Sequence, residues 1–171
     1  MVLGEPPPEL ASLIERRRAL GQDLYDEVWE GIRHLGPAPR PVHGYIDRAL
    51  AVLLAPAAAA ARLFGTGPFN LGTPDNYRVP DGGYHRSLPD QVFLPTAAVV
   101  VEVVSPDDET YEKFAFYAAH GVDELLIADP ASRQVRLWRR TGDDSYAESD
   151  ASALLNVTAA DLTARLDWFP P

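Results

Sequence analysis

Val99-Val100-Val101-Glu102-Val103-Val104-Ser105-Pro106 is the stretch on which the fold turns. A continuous β-branched run halted by Ser-Pro is the signature of a strand covered on both faces. Successive side chains of a strand point to opposite faces, so Val100, Glu102 and Val104 share one face while Val99, Val101 and Val103 share the other. Glu102 therefore enters an otherwise apolar layer. An unpaired ionised carboxylate there is costly, so it calls for a cation, a metal ion or a proton. A strand-end glutamate turned to water, or one paired with an arginine, is the alternative.

Working outward, Asp107, Asp108 or Thr110 can cap a helix through His120, which Gly121 is placed to end. Strands over 124–128 and 134–139 follow, so residues 99–128 read as strand, helix, strand. Upstream, helical spacing of Leu10, Leu13 and Ile14 predicts a helix from Glu9 to Leu20. Two short strands around Glu30-Gly31, over 25–29 and 32–35, form a hairpin closed by the proline-rich segment 36–41. Ile46, Leu50, Leu53 and Leu54 predict a second helix from Val42, running until Pro56 and resuming over 57–61 after a kink. Strands are expected over 62–64, 70–71 and 77–84, the last crossing Pro80. The pattern is α/β, and 171 residues suit a single domain.

Composition narrows the chemistry. The chain has no cysteine, which removes disulfides, thiolate metal sites and cysteine nucleophiles, and fits a reducing compartment. No apolar run approaches the roughly 20 residues of a membrane span, and the N-terminus lacks a signal-peptide pattern, so a cytoplasmic protein without membrane contact is expected. A net charge of −10 argues against non-specific nucleic-acid binding. Of fifteen cationic residues fourteen are arginine; the exception is Lys113. A compact ammonium shifts its pKa readily and serves chemistry that arginine does badly.

Lys113 and a divalent ion are the candidate partners of Glu102, and Asp81, beside Gly82-Gly83, is the natural second carboxylate. Mg²⁺ binds through one or two carboxylates and keeps waters or phosphate oxygens elsewhere. Two carboxylates plus a lysine suit phosphodiester cleavage. The bland readings stand beside this one. Glu109 lies four residues before Lys113 in the favourable orientation for a surface pair, and an aspartate next to two glycines commonly forms a turn. His43 and Asp47, four apart on the second helix, read as a capping or solvated pair more readily than as a metal site. Ser105 lacks a Gly-x-Ser-x-Gly setting, and Gly65-Thr66-Gly67 lacks the lysine of a phosphate loop.

Val79-Pro80-Asp81, the run from Val100 to Pro106, Lys113 with Tyr117, Gly121-Val122, Glu124 and Asp129-Pro130 together resemble the bacterial Uma-two family of putative restriction endonucleases, within the PD-(D/E)XK nuclease superfamily. The likeness extends more weakly to Glu27-Val28-Trp29-Glu30-Gly31 and His43, covering most of residues 25–140. The resemblance implies a restriction-endonuclease-like core, a mixed sheet flanked by helices, with Asp81 and Glu102 as Mg²⁺ or Mn²⁺ ligands and the Val103 backbone carbonyl completing the site. It implies Lys113 as charge stabiliser or water-orienting group, Glu27 and His43 as assisting residues, DNA as the expected nucleic acid, and a homodimer. The sequence departs from the superfamily at Val104, where the motif places its lysine; Lys113 matches the place to which this family moves it. The competing expectation is a non-catalytic homodimeric interaction module that keeps the fold.

Overall fold

A computed structural model describes residues 8–106 and 109–168. Asp107 and Asp108, two of the expected helix caps, and the first seven residues lie outside them. Helix α1 (Pro8–Ala19) precedes a hairpin of β1 (Glu27–Trp29) and β2 (Ile32–His34). Its turn residues Glu30 and Gly31 both take positive φ, 47° and 85°, the backbone that matches the twist of paired strands.

Helix α2 spans Pro41–Ala60 without a break at Pro56. A proline inside a helix leaves the carbonyl four residues back without its amide partner. Here that residue, Val52, is 72% exposed, so water can serve the carbonyl and the helix continues.

Strands β3 (Phe64–Thr66), β4 (Asn70–Thr73), β5 (Asn76–Arg78), β6 (Gly82–His85) and β7 (Phe93–Leu94) follow. The strand expected over 77–84 is therefore two strands. Pro80 cannot donate to a ladder, and the chain turns at Val79-Pro80-Asp81 from one sheet into another. Next come β8 (Val99–Val103), a 3₁₀ turn (Thr110–Lys113), α3 (Phe114–Ala119), β9 (Glu124–Asp129) and β10 (Gln134–Arg140). The single helix expected to end at His120 is thus a 3₁₀ turn joined to a short α-helix, and Gly121, at φ 70°, does end it. The chain closes with β11 (Tyr146–Ser149), β12 (Ala151–Ser152), β13 (Val157–Thr158) and α4 (Ala159–Arg165).

The expected mixed sheet flanked by helices is present, and beside it stand a second mixed sheet and a ribbon. The six-stranded sheet runs β11-β10-β9-β8-β6-β3, with β8 and β9 parallel through the α3 crossover. The five-stranded sheet runs β2-β1-β5-β4-β7, and β12 pairs with β13. The alternation read in β8 holds. Val99, Val101 and Val103 join Ile46, Leu50 and Leu54 of α2 and Leu162 of α4 in one core. Val100 joins Tyr117, Phe116, Leu125 and Leu71 in another, on the face that carries Glu102. Among the described residues no helix is long and apolar enough to cross a membrane.

Candidate functional site

Four chain segments meet beside the end of β8. From the strand itself comes Glu102, 4% exposed. From the 3₁₀ turn comes Lys113, whose Nζ donates to Glu102 Oε1 at 3.3 Å. From the hairpin comes Glu27, whose Oε1 accepts from the same Nζ at 2.9 Å. From the corner between the sheets comes Asp81, whose Oδ2 accepts from the Val103 backbone N–H at 2.8 Å. The Glu109–Lys113 surface pair does not form: Glu109 Oε2 meets His34 Nδ1 at 3.3 Å, and the 3₁₀ turn directs Lys113 inward.

Each acid is held by a local reason. Glu27 Oε1 also accepts from the Val79 N–H at 2.7 Å, and its Oε2 accepts from the indole of Trp29, two residues along the same strand face, at 2.6 Å. Glu102 Oε1 accepts from the Tyr117 hydroxyl as well. Tyr117 sits four residues after Lys113, and burial, with the Glu102 and Glu27 charges, pushes its phenol well above the ordinary range, so it stays a donor. His43, in the first turn of α2, bridges Asp81 Oδ1 at 2.7 Å through Nε2 and Ser105 Oγ at 3.0 Å through Nδ1.

Electrostatically the site is short of positive charge. Glu27, Asp81 and Glu102 face one ammonium and one imidazole. Burial raises the Glu102 pKa well above the usual carboxylate range; Lys113 opposes this and Asp81 adds to it. Burial works against charging His43, yet its hydrogen bond to Asp81, with the charges of Asp81, Asp47 and Glu102, leaves its pKa raised. Asp47, one turn along α2, is itself raised by burial and by Asp81.

The cluster forms part of the lining of a half-open cavity of about 560 Å³, walled by the loop from Leu35 to Arg40 and by Ser105, Pro106 and Glu109. Its carboxylates are hard oxygen donors of the kind that hold Mg²⁺ or Mn²⁺ while leaving positions for water. Among the described residues no three or more His, Cys, Asp or Glu side chains are grouped so as to hold a metal ion by themselves. The structure thus brings together Asp81, Glu102, Lys113, Glu27 and His43. Tyr117 and Ser105 were not expected in the cluster. The signal for Tyr117 was its spacing from Lys113; for Ser105, whose hydroxyl meets a histidine 62 positions earlier, there was none.

The fold is that of a nuclease-like protein. A crystal structure described as "a putative nuclease belonging to DUF820" from Anabaena variabilis aligns with a TM-score of 0.65, at 17% identity, over 82% of this chain and 90% of that one. The chain belongs to the Uma2 family, described as "Putative restriction endonuclease", whose model matches residues 19–168. No curated protein matches it.

Proposed function

We propose that the chain, acting as one nuclease-like unit, is a Mg²⁺- or Mn²⁺-dependent endonuclease that hydrolyses phosphodiester bonds of nucleic acid. The observation that carries this reading is the acid cluster: nearly buried Glu27 and Glu102 share one ammonium, and Asp81 beside them is met by the His43 imidazole, at the floor of a cavity open to solvent. Asp81, Glu102 and the Val103 carbonyl would hold the ion. When bound, it supplies a Lewis acid for the phosphoryl oxygen and lowers the pKa of a coordinated water.

The protein's own groups prepare the ground. Lys113 keeps a positive charge at the floor, where it orients the attacking water or offsets charge developing on the phosphoryl oxygens. Glu27 holds that ammonium from the hairpin side, and Tyr117 fixes the Glu102 carboxylate. His43 and the Val103 amide fix both oxygens of Asp81, so its carboxylate is oriented before any substrate arrives. DNA as substrate and a homodimer as the working form belong to the same proposal.

The net charge of −10 favours a second reading, in which the cluster is a structural lock in a non-catalytic homodimeric interaction module. Incubating supercoiled plasmid with Mn²⁺ and the wild type, Lys113→Ala or Glu102→Gln separates the two. The nuclease reading expects nicking by the wild type and a loss of roughly 10²–10³-fold in each variant, as when one preorganised charge stabiliser is removed. Equal products from all three, or none from any at high protein concentration, rules it out.

A further inference from the structure

We propose that the cavity takes an unpaired strand of nucleic acid, not an intact duplex. This rests on the nuclease reading and narrows its substrate. Depth is the first argument. Glu27, Glu102 and Lys113 at the floor are each at most 9% exposed, so a phosphodiester must descend into the cavity to reach them. Its volume, about 560 Å³, is in the range of pockets that enclose small ligands. A duplex is a stiff rod, straight over roughly 150 base pairs, and its backbone cannot leave the rod without unpairing. A single strand has no such constraint.

Charge is the second. Among the described residues Arg40 is the one arginine lining the cavity, whereas four carboxylates line it, Glu109 being the fourth. Proteins that grip duplexes neutralise on the order of 6–10 phosphates. This surface offers contacts for one or two.

The wall is the third. Tyr25 and His34 line it, and His34 is stacked on Trp29 with ring centroids 4.3 Å apart and planes 19° from parallel. Aromatic groups bind unpaired bases through their π faces without regard to sequence. The backbone behind Tyr25 is fixed in advance. Gly36 approaches so closely that a Cβ there would lie 2.2 Å from the Tyr25 carbonyl oxygen. Asp26 Oδ1 accepts from the Gly36 N–H at 3.0 Å, and Arg17 Nη2 donates to the Gly36 carbonyl at 3.1 Å and to Asp26 Oδ1 at 2.6 Å. A wall pinned this way has little ordering cost left when a base settles on it.

Fluorescence anisotropy of the full chain in Ca²⁺ tests this, using a labelled 12-nucleotide DNA strand, the same sequence in RNA, and the 12-base-pair duplex. At least one single strand is expected to bind about tenfold more tightly than the duplex. Its affinity should fall with salt at a slope near −1, since each phosphate contact contributes about −0.7. His34→Ala and Tyr25→Leu should each weaken single-strand binding by about tenfold. Arg40→Ala should flatten the salt slope, and its exposed position keeps that variant folded. Duplex binding as tight as single-strand binding overturns the proposal. So does unchanged binding by His34→Ala and Tyr25→Leu when circular dichroism shows both folded, or no binding by any oligonucleotide. Duplex cleavage without single-strand preference would remove this inference and leave the nuclease reading standing. Single-strand binding without any cleavage would do the reverse.

Discussion

Lys113 lies 2.9 Å from Glu27 and 3.3 Å from Glu102, and both carboxylates are nearly buried. Removing the ammonium therefore leaves Glu27 without its cation and pushes Glu102, whose pKa burial already raises, to take up a proton; stripping one partner from a buried ion pair costs about 3–5 kcal/mol. Lys113→Met should lower unfolding stability in urea by that order. Lys113→Met/Glu102→Gln should lose less than the sum of the singles, because a neutral amide at 102 no longer needs the ammonium or a proton; a double variant as unstable as that sum would refute the coupling. At this scale the sequence was half legible. Alternation along Val99–Val104 placed Glu102 in an apolar layer and so required a positive neighbour. Helical spacing, however, pointed Lys113 at Glu109, and only the 3₁₀ turn, which spacing does not announce, sends it inward. Its second partner, Glu27, lies 86 positions away, beyond any local rule.

Among the elements, β6 shows why two glycines follow Asp81. A Cβ on Gly83 would lie 2.6 Å from the Phe69 ring and 3.2 Å from the Val99 carbonyl oxygen. Gly83→Ala should therefore cost about 1–3 kcal/mol by overpacking, read as a lower thermal midpoint. A midpoint at or above wild type would contradict this. The same strand ends in His85, 3% exposed, its Nε2 at 3.0 Å from Thr66 Oγ1, and burial lowers its pKa. The folded form then refuses a proton that the unfolded chain accepts below about pH 6.5. Its contribution to stability is full above that pH and is lost as pH falls toward the folded pKa. His85→Asn should flatten the decline of stability between pH 7 and 5 relative to wild type; parallel profiles would show that His85 does not titrate in this window. The helical period of α2 and the continuous β-branched run of β8 were legible. The corner at Val79-Pro80-Asp81 read as one strand because its apolar pattern continues, although Pro80 supplies no donor. Strands of two residues, β7, β12 and β13, carry no period at all.

Across the whole molecule, the proposed metal ligands and their partners come from both larger sheets and the turn before α3. An ion that binds them recognises only the folded chain. Mn²⁺ at about 100 times its dissociation constant should stabilise the protein by about 2.7 kcal/mol, seen as a higher thermal midpoint. Glu102→Gln should reduce that shift sharply; an equal shift in the variant would place the ion elsewhere.

One ammonium also reaches across a seam. Glu27 stands in the five-stranded sheet and Glu102 in the six-stranded one, so Lys113 is a clasp between two bodies as well as a charge in a cavity. A phosphate that draws Lys113 toward itself loosens the clasp, leaving Arg78, layered between Trp29 and Phe116, to keep the hairpin in place. A ligand's hold on Lys113 and the tether on β1 thus become mechanically linked, and amide exchange in β1 should quicken when the cavity fills, while the wall pinned by Arg17 and Asp26 keeps its protection.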